Sequence, residues 1–357
     1  MFFSLVLSVC WIAGPSADPV FYRSKTIPSE TLAKQEQQAT ITDDKGDMVR
    51  VELFVDAETS YIYWYRRLFT EVCLTGECRP IDIGIYWTAA GKYAGVEIFN
   101  ENLTKTDHSD FSDFDYRKLE TVLNDEWSAL REFEFDDLVE NKKEGVDATT
   151  GATKKVIAEA SVKDAVYTTY TMWHLIHVGD GEQIALLSYD YLNTHPLLLS
   201  ASLEEDNSEY SHFLIQGLTS GKLKLTQELT TLVLNSLNHS DGTLKNAAFH
   251  VISSLPLEDD TIQRGISRAY QNWGIADKNR FLQTIARISV LNESLYAALA
   301  KDLDQSNPWF LNSMLPILSK HKKQSQEVIK KVKELAKSEN TTIKTAAEKF
   351  LSHISSR

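Results

Sequence analysis

The stretch Asp147-Ala-Thr-Thr-Gly-Ala-Thr153 brings a carboxylate, threonine hydroxyls and a glycine together directly ahead of a helix-like run. Those residue types at that spacing suit the holding of an anion. The first peptide N–H groups of a helix have no partner inside it, and the aligned peptide dipoles favour negative charge there. Gly151 and Ala152 keep side-chain bulk away, so a phosphate can approach the backbone closely. Thr150 and Thr153 can cap the helix, donate to a phosphate or be esterified by it. Asp147 can tie the loop to backbone N–H groups or sit beside a divalent cation. A helix start that is capped and binds nothing has the same composition, and so has a site for another anion. Lys154 and Lys155 follow, and their charge would offset a phosphodiester.

Other chemically able groups are less specific. Lys105, Asp107 and His108 lie together in "TKTDH", as a polar rim of a pocket or as a solvated loop. His174 and His177 stand three apart in "WHLIH" and would share a helix face. With no carboxylate or third ligand beside them, they read as satisfied core or surface histidines, and no metal site is predicted. The aromatics of "YIYWYRR" read as sheet packing, with Tyr63 or Trp64 as candidates to stack on a planar ring. A CxxCH haem site, an iron–sulfur spacing, a P-loop and a dinucleotide-binding glycine fingerprint are all absent from the sequence. No nucleophile and base can be paired with any specificity, which argues against a hydrolase.

The elements that must position these residues follow from hydrophobic period. Val49, Val51, Leu53 and Val55 alternate with polar partners, the mark of a half-buried strand. Aromatic-rich 61–68, "RPIDIGIYW" and "KYAGVEIF" continue an antiparallel meander of four strands, with a turn at Ala90-Gly91 between the last two. Phe114, Leu119, Val122 and Leu123 then recur near helical spacing behind Ser112 or Asp113 as a cap. After the motif, 154–178 reads as one or two helices, although the β-branched run at 166–171 opposes that. From about 185 onward only helices are expected, at 209–218, 224–237, 241–254, 259–272, 276–289, 293–302, 307–319, 324–337 and 340–355. Pairs of helices recurring every thirty-odd residues resemble HEAT-type solenoids in spacing and amphipathicity. The expected fold is thus an α+β N-terminal domain, an antiparallel meander plus helices, followed by an all-α helical-repeat, solenoid-like domain. Its parts are a leader at 1–17, a polar lead-in at 18–48 with no sustained period, the α+β domain at 49–182 and the helical repeats at 190–357.

The motif resembles that of the FMN-binding domain family, in which Asp, two variable residues, then Ser/Thr-Gly-Ala-Ser/Thr receive a flavin. Asp147, Thr150, Gly151, Ala152 and Thr153 match it. The resemblance covers roughly residues 45–180. "PIDIGIYWTAAGKYAGVEIF" is similar to the family's strand-turn-strand, where a turn glycine is typical, and "ENLTKTDH" stands where the family lines its flavin pocket. Departures are Lys154 and Lys155 in place of hydroxyl residues, and the absence of a Pro-Gly in the upstream segment. The resemblance implies FMN joined through its phosphate to Thr153 by a separate flavin transferase, with Lys105 and His108 at the pocket. It implies an extracytosolic electron carrier, and the concave face of the helical repeats would supply a docking surface for its redox partner. The alternative is a non-redox envelope interaction protein with a degenerate flavin domain, working through its repeat surface.

Composition agrees with export and excludes other classes. Of 357 residues, 43% are hydrophobic and 24% charged, which is ordinary for a folded protein. The net charge of −13 repels phosphate backbones, so nucleic acid is excluded as a partner. The lysines between Lys320 and Lys333 alternate with Glu327 and Glu334, as a solvated helix face does. The apolar run Phe2–Ala13 is too short to span a bilayer and suits a secretion signal, although no basic residue precedes it. Cys10 loosely resembles a lipoprotein attachment site, which would anchor the chain to a membrane; a periplasmic or envelope location is expected. Cys73 and Cys78 flank Thr75-Gly76 between strand-like segments, as a hairpin disulfide would in an oxidising compartment; two reduced thiols are the alternative.

Overall fold

The computed structural model describes residues 19–28, 30–43, 46–72, 79–138, 155–177, 180–203, 207–304 and 307–355. The chain divides into two compact units, 1–188 and 189–357. The architecture is α+β in the first and all-α in the second.

The first unit is built on six antiparallel strands: β1 (Val20–Arg23), β2 (Leu32–Thr42), β3 (Met48–Asp56), β4 (Ile62–Thr70), β5 (Ile81–Thr88) and β6 (Tyr93–Phe99), in the order β1-β6-β5-β4-β3-β2. The four central strands occupy the segments marked by alternation. The edge strands β1 and β2 arise within 18–48, where the sequence reads as a polar lead-in. β2 pairs only with β3, and most of its side chains are exposed and polar, so it lacks an apolar period while its backbone still bonds.

Alternation sends Val51, Leu53, Trp64, Ile83, Ile85, Trp87, Val96 and Ile98 to one face, and all of them are buried. Trp64 and Trp87 are direct cross-strand partners. Helices α1 (Asp113–Leu123) and α2 (Val166–His177) belong to this unit, and α3 (Asp180–Thr194) begins in it. Trp87 Nε1 donates to the Ile176 carbonyl of α2 at 3.1 Å, and Trp64 Nε1 donates to Ser188 Oγ of α3 at 2.9 Å. On the opposite face Tyr65, Tyr86, Ala94 and Ile27 form a smaller core, with Phe54 and Tyr63 packed against it. Tyr63 and Trp64 therefore lie on opposite faces of the sheet, and both pack within it.

Of the two caps the sequence offers, Ser112 and Asp113, helix α1 uses Ser112, in a capping box with Asp115. Its buried side differs from expectation: Tyr116 is buried and Phe114 is 69% exposed. Phe114 precedes the buried Leu119 by five residues, which places it off the stripe, and the Arg117 guanidinium lies 5.9 Å from its ring centroid. Glu120, one turn further along, accepts from Tyr22 Oη, Ser24 Oγ and Tyr93 Oη and so ties α1 to the β1–β6 edge. The β-branched run 166–171 is helical, because Thr168, Thr169 and Tyr170 are buried there.

In the second unit α3 ends at Thr194 and α4 (Pro196–Ser202) opens with the proline that the break at 194–196 announces. There follow α5 (Ser208–Thr219), α6 (Gln227–Ser236), α7 (Gly242–Val251), α8 (Asp260–Tyr270), α9 (Ile275–Thr284), α10 (Glu293–Ala300), α11 (Pro308–Leu318), α12 (Gln326–Leu335) and α13 (Thr341–Ser355). Asn207, Thr226, Asp241, Asp259, Asn292, Asn307 and Ser325 each cap a helix with a side-chain oxygen, so the polar breaks in the sequence fall at helix starts. α5 packs on α7, α8 on α10, α9 on α11 and α11 on α13, the every-second-helix pattern of stacked hairpins. Polar ties recur with it at separations of 29 to 32 residues. Asn193 bonds Lys222 O and Lys224 N, Lys245 pairs with Asp277, Tyr270 donates to Asp302, and His321 meets Leu291 O.

Candidate functional site

Asp147, Thr150, Gly151, Ala152 and Thr153 lie outside the described residues, as do Cys10, Cys73 and Cys78. The site is therefore read from what flanks the motif. A helical turn at 155–159 follows it directly, with Ile157 buried. Lys118 Nζ of α1 donates to the Glu159 carbonyl at 3.2 Å, at the end of that turn. On the other side of the motif, the Leu138 carbonyl accepts from Tyr167 Oη of α2 at 3.3 Å. Helices α1 and α2 thus hold both flanks.

The upstream segment 101–111 is a short loop closed by the bridge between Thr104 and Asp110. Thr106 donates through both N and Oγ1 to the Asp164 carbonyl, at 2.7 and 2.9 Å. That contact joins the loop carrying Lys105 and His108 to the turn between the helical turn 155–159 and α2. Lys105 is committed within it: its Nζ lies 2.9 Å from Asp115 Oδ2. Burial alone would raise the Asp115 carboxyl, but bonds from Ser112 and Lys105 outweigh it and hold the group below its ordinary range. His108 sits exposed at the loop tip with φ +63°, its N donating to Lys105 O at 2.9 Å. The structure therefore brings Lys105 and His108 into one loop with different roles: Lys105 braces the start of α1, and His108 is left to solvent.

Between this loop and α2 lies a cavity of about 10 Å³, lined by Thr104, Thr106 and Thr168 and by Val72 and Arg79, which flank the cysteine segment. It has room for about one water molecule. Arg79 is exposed and pairs with Glu101 at 2.6 Å.

The histidine pair of α2 has a structural explanation that the sequence reading reached only in part. Tyr170 Oη donates to Phe133 O, and Trp173 Nε1 donates to Asp125 O, each at 2.9 Å. His174 Nε2 meets Leu130 O at 3.2 Å, and His177 Nε2 meets Leu123 O at 2.8 Å. A carbonyl only accepts, so both rings carry their proton on Nε2. Burial pushes the His177 imidazole below its ordinary value and keeps it neutral. Four donors at i, i+3, i+4 and i+7 clamp the chain from Leu123 to Phe133, and the Leu138 contact extends the clamp toward the motif. Ring donors at helical spacing were the available signal. Among the described residues no three His, Cys, Asp or Glu side chains are grouped to hold a metal ion.

No family model, curated protein or solved structure matches the chain.

Proposed function

We propose that the chain is an extracytosolic flavin carrier, with FMN held at 147–153 and its phosphate esterified to Thr153. The motif Asp147-x-x-Thr150-Gly151-Ala152-Thr153 carries the reading. Three features of its surroundings support it: a helical turn directly after residue 154, flanks anchored by Lys118 and Tyr167, and the Thr106–Asp164 bonds that join the 101–108 loop to the turn following that helix.

The small cavity, with room for about one water molecule, takes neither the phosphate nor the ring, and its polar groups can only border the cofactor. Thr104, Thr106 and Thr168 line it with hydroxyls, while Lys105 and Arg79 beside it are paired with Asp115 and Glu101. The whole cofactor in this reading lies outside that cavity, with its ring where a partner can reach it. When bound, the flavin accepts and passes one or two electrons. Thr153 is the attachment point and takes no part in turnover; Asp147 fixes the loop, Lys154 and Lys155 offset the phosphodiester charge, and His108 borders the pocket from solvent. Maturation needs a separate flavin transferase. The Cys73–Cys78 disulfide, the exported location, a Cys10 lipid anchor and a redox partner on the helical repeats belong to the same proposal.

A second reading is favoured by the commitment of Lys105 to Asp115 and the smallness of the cavity: a non-redox interaction protein working through its repeats. Colour separates the two. The full chain co-expressed with a flavin transferase should absorb as a flavoprotein and gain the mass of FMN less one water. Thr153→Ala should lose both, and Thr153→Ser should keep them. A colourless, unmodified wild type under those conditions overturns the flavin reading.

A further inference from the structure

The end of the helical array carries a dense positive charge. Residues 320–349 hold nine lysines and four glutamates, in a protein whose net charge is −13. By sequence these read as one solvated face with both signs mixed. The structure sorts them instead. Val328 and Val332 turn one side of α12 into the core. Lys330, Lys333 and Lys337 recur at i, i+3 and i+7 on the side away from those valines, and all three are exposed.

The neighbouring stripe is already neutralised. Lys331 is spent on Asp304, its Nζ lying 2.7 Å from Oδ2. That hydrogen bond raises the Lys331 ammonium above its ordinary range, and the charges of Glu327 and Glu334 add to the effect. The two glutamates, four residues before Lys331 and three after it, thus belong to the Lys331 stripe. Lys330, Lys333 and Lys337 have no ion pair among the described residues. Lys322 and Lys323 stand exposed in the turn that leads into α12.

What such a face can hold follows from what it lacks. A protein–protein contact is anchored by a central cluster of aromatic or aliphatic side chains. Among the described residues from 310 to 355 no large apolar side chain is exposed. A layer of anionic headgroups needs no such anchor, only several cations that reach it together. The three lysines span about 10 Å along the helix, so they can meet such a layer at once. Charges more than about 8 Å from the contact are screened at physiological salt, so the acidic remainder of the chain does not cancel the patch.

We infer that this end of the array docks on an anionic lipid surface through Lys330, Lys333 and Lys337, with Lys322 and Lys323 beside them. The inference rests on the envelope location proposed above and not on the flavin. It also meets a need of that location: one acyl chain holds a protein on a membrane only marginally, and a polybasic patch is a second signal.

The test sediments the full chain with vesicles of phosphatidylcholine alone and of phosphatidylcholine mixed with an equal part of phosphatidylglycerol. The mixed vesicles should bind it more tightly than phosphatidylcholine at low salt, and about 0.5 M salt should remove the difference. Lys330→Glu, Lys333→Glu and Lys337→Glu combined should weaken binding to the mixed vesicles about a hundredfold or down to the phosphatidylcholine level. Because the three side chains are exposed, this variant should keep the wild-type circular dichroism, so its loss of binding is not a loss of fold. Equal binding to the two kinds of vesicle, unchanged binding of the triple variant, or tighter binding to duplex DNA than to mixed vesicles at equal phosphate each overturn the inference. Cell fractionation tests the location separately: a cytosolic chain overturns export, whereas the vesicles decide this contact.

Discussion

Within residues 19–188 the decisive ties join distant parts of the chain. Trp87 reaches Ile176 across 89 residues, Tyr22 reaches Glu120 across 98, and Trp64 reaches Ser188 across 124. Within 189–355 the ties of the helical array return every 29 to 32 residues. The sheet unit is closed by contacts that exist only when all of it is folded. Each repeat of the array needs only its neighbours. Charge divides the same way: residues 1–188 contain 32 acidic and 18 basic side chains, and residues 189–357 contain 18 and 19. Damage to the first unit should therefore spread through it, and damage to the second should stay local.

Trp87→Ala gives the sharpest test. It empties a fully buried site and removes the donor to Ile176 O, at a cost of about 3–5 kcal/mol. Hydrogen exchange should show protection falling across β3 to β6 together while the helices beyond 208 keep theirs. Loss confined to the neighbours of Trp87 would break the comparison.

Asp302→Ala is its counterpart in the array. Asp302 accepts from Tyr270 Oη at 2.7 Å and Lys278 Nζ at 2.9 Å, in a site where both charges are largely buried. Burial and Asp302 together push the Tyr270 hydroxyl far above its ordinary range. Removing the carboxylate strands Lys278, at a cost of about 3 kcal/mol. Protection should fall in α8 to α10 and survive in α5 and α13. Uniform loss along the array would count against independent repeats.

Gly91→Ala should cost about 2 kcal/mol in the sheet unit alone. Gly91 has φ +74°, and a Cβ built there would collide with the Gly181 carbonyl. The turn glycine that resembles the flavin family thus has a packing reason of its own, and the variant should retain any bound flavin. A stability unchanged in urea unfolding would remove that reason.

The smallest effect is a pH dependence of the sheet unit that rests on His177. His177 titrates below 6.5 when folded, because burial disfavours its cation, and near 6.5 when unfolded. Below 6.5 the unfolded chain takes up the proton first. Stability of the sheet unit is therefore full above that pH and declines as pH falls through the window between the two values. His177→Gln, which keeps a donor for Leu123 O, should flatten the slope measured by urea titration at several pH values.

The central strands, the start of α1 at Ser112 and the array from 208 onward were legible because each carries its own short-range signal. Those signals are a period of two, a cap residue at Ser112 or Asp113, and polar breaks between apolar stripes. Strand β2 was not legible, since an edge strand with exposed polar side chains is specified by its partner β3. Nor was α3, where "GDGEQ" reads as a boundary. Buried Asp180 binds Arg66 there, and Ile184 is fully buried in the first unit. The motif at 147–153 lies outside the described residues, and the commitment of Lys105 to Asp115 was not legible, because the two are ten residues apart across a loop.

The order of amino acids alone determined the four central strands and the helices from 208 onward, because side-chain period and helix caps act within a few residues. It also determined where an anion-friendly motif stands. Only the tertiary structure decided which polar groups are spent and which remain. Lys330 and Lys331 are neighbours in one lysine run, and only the packing of successive repeats ties Lys331 to Asp304 and leaves Lys330 to solvent. The ring donors of α2 likewise became a clamp only once folding brought the carbonyls of 123–133 within hydrogen-bond reach.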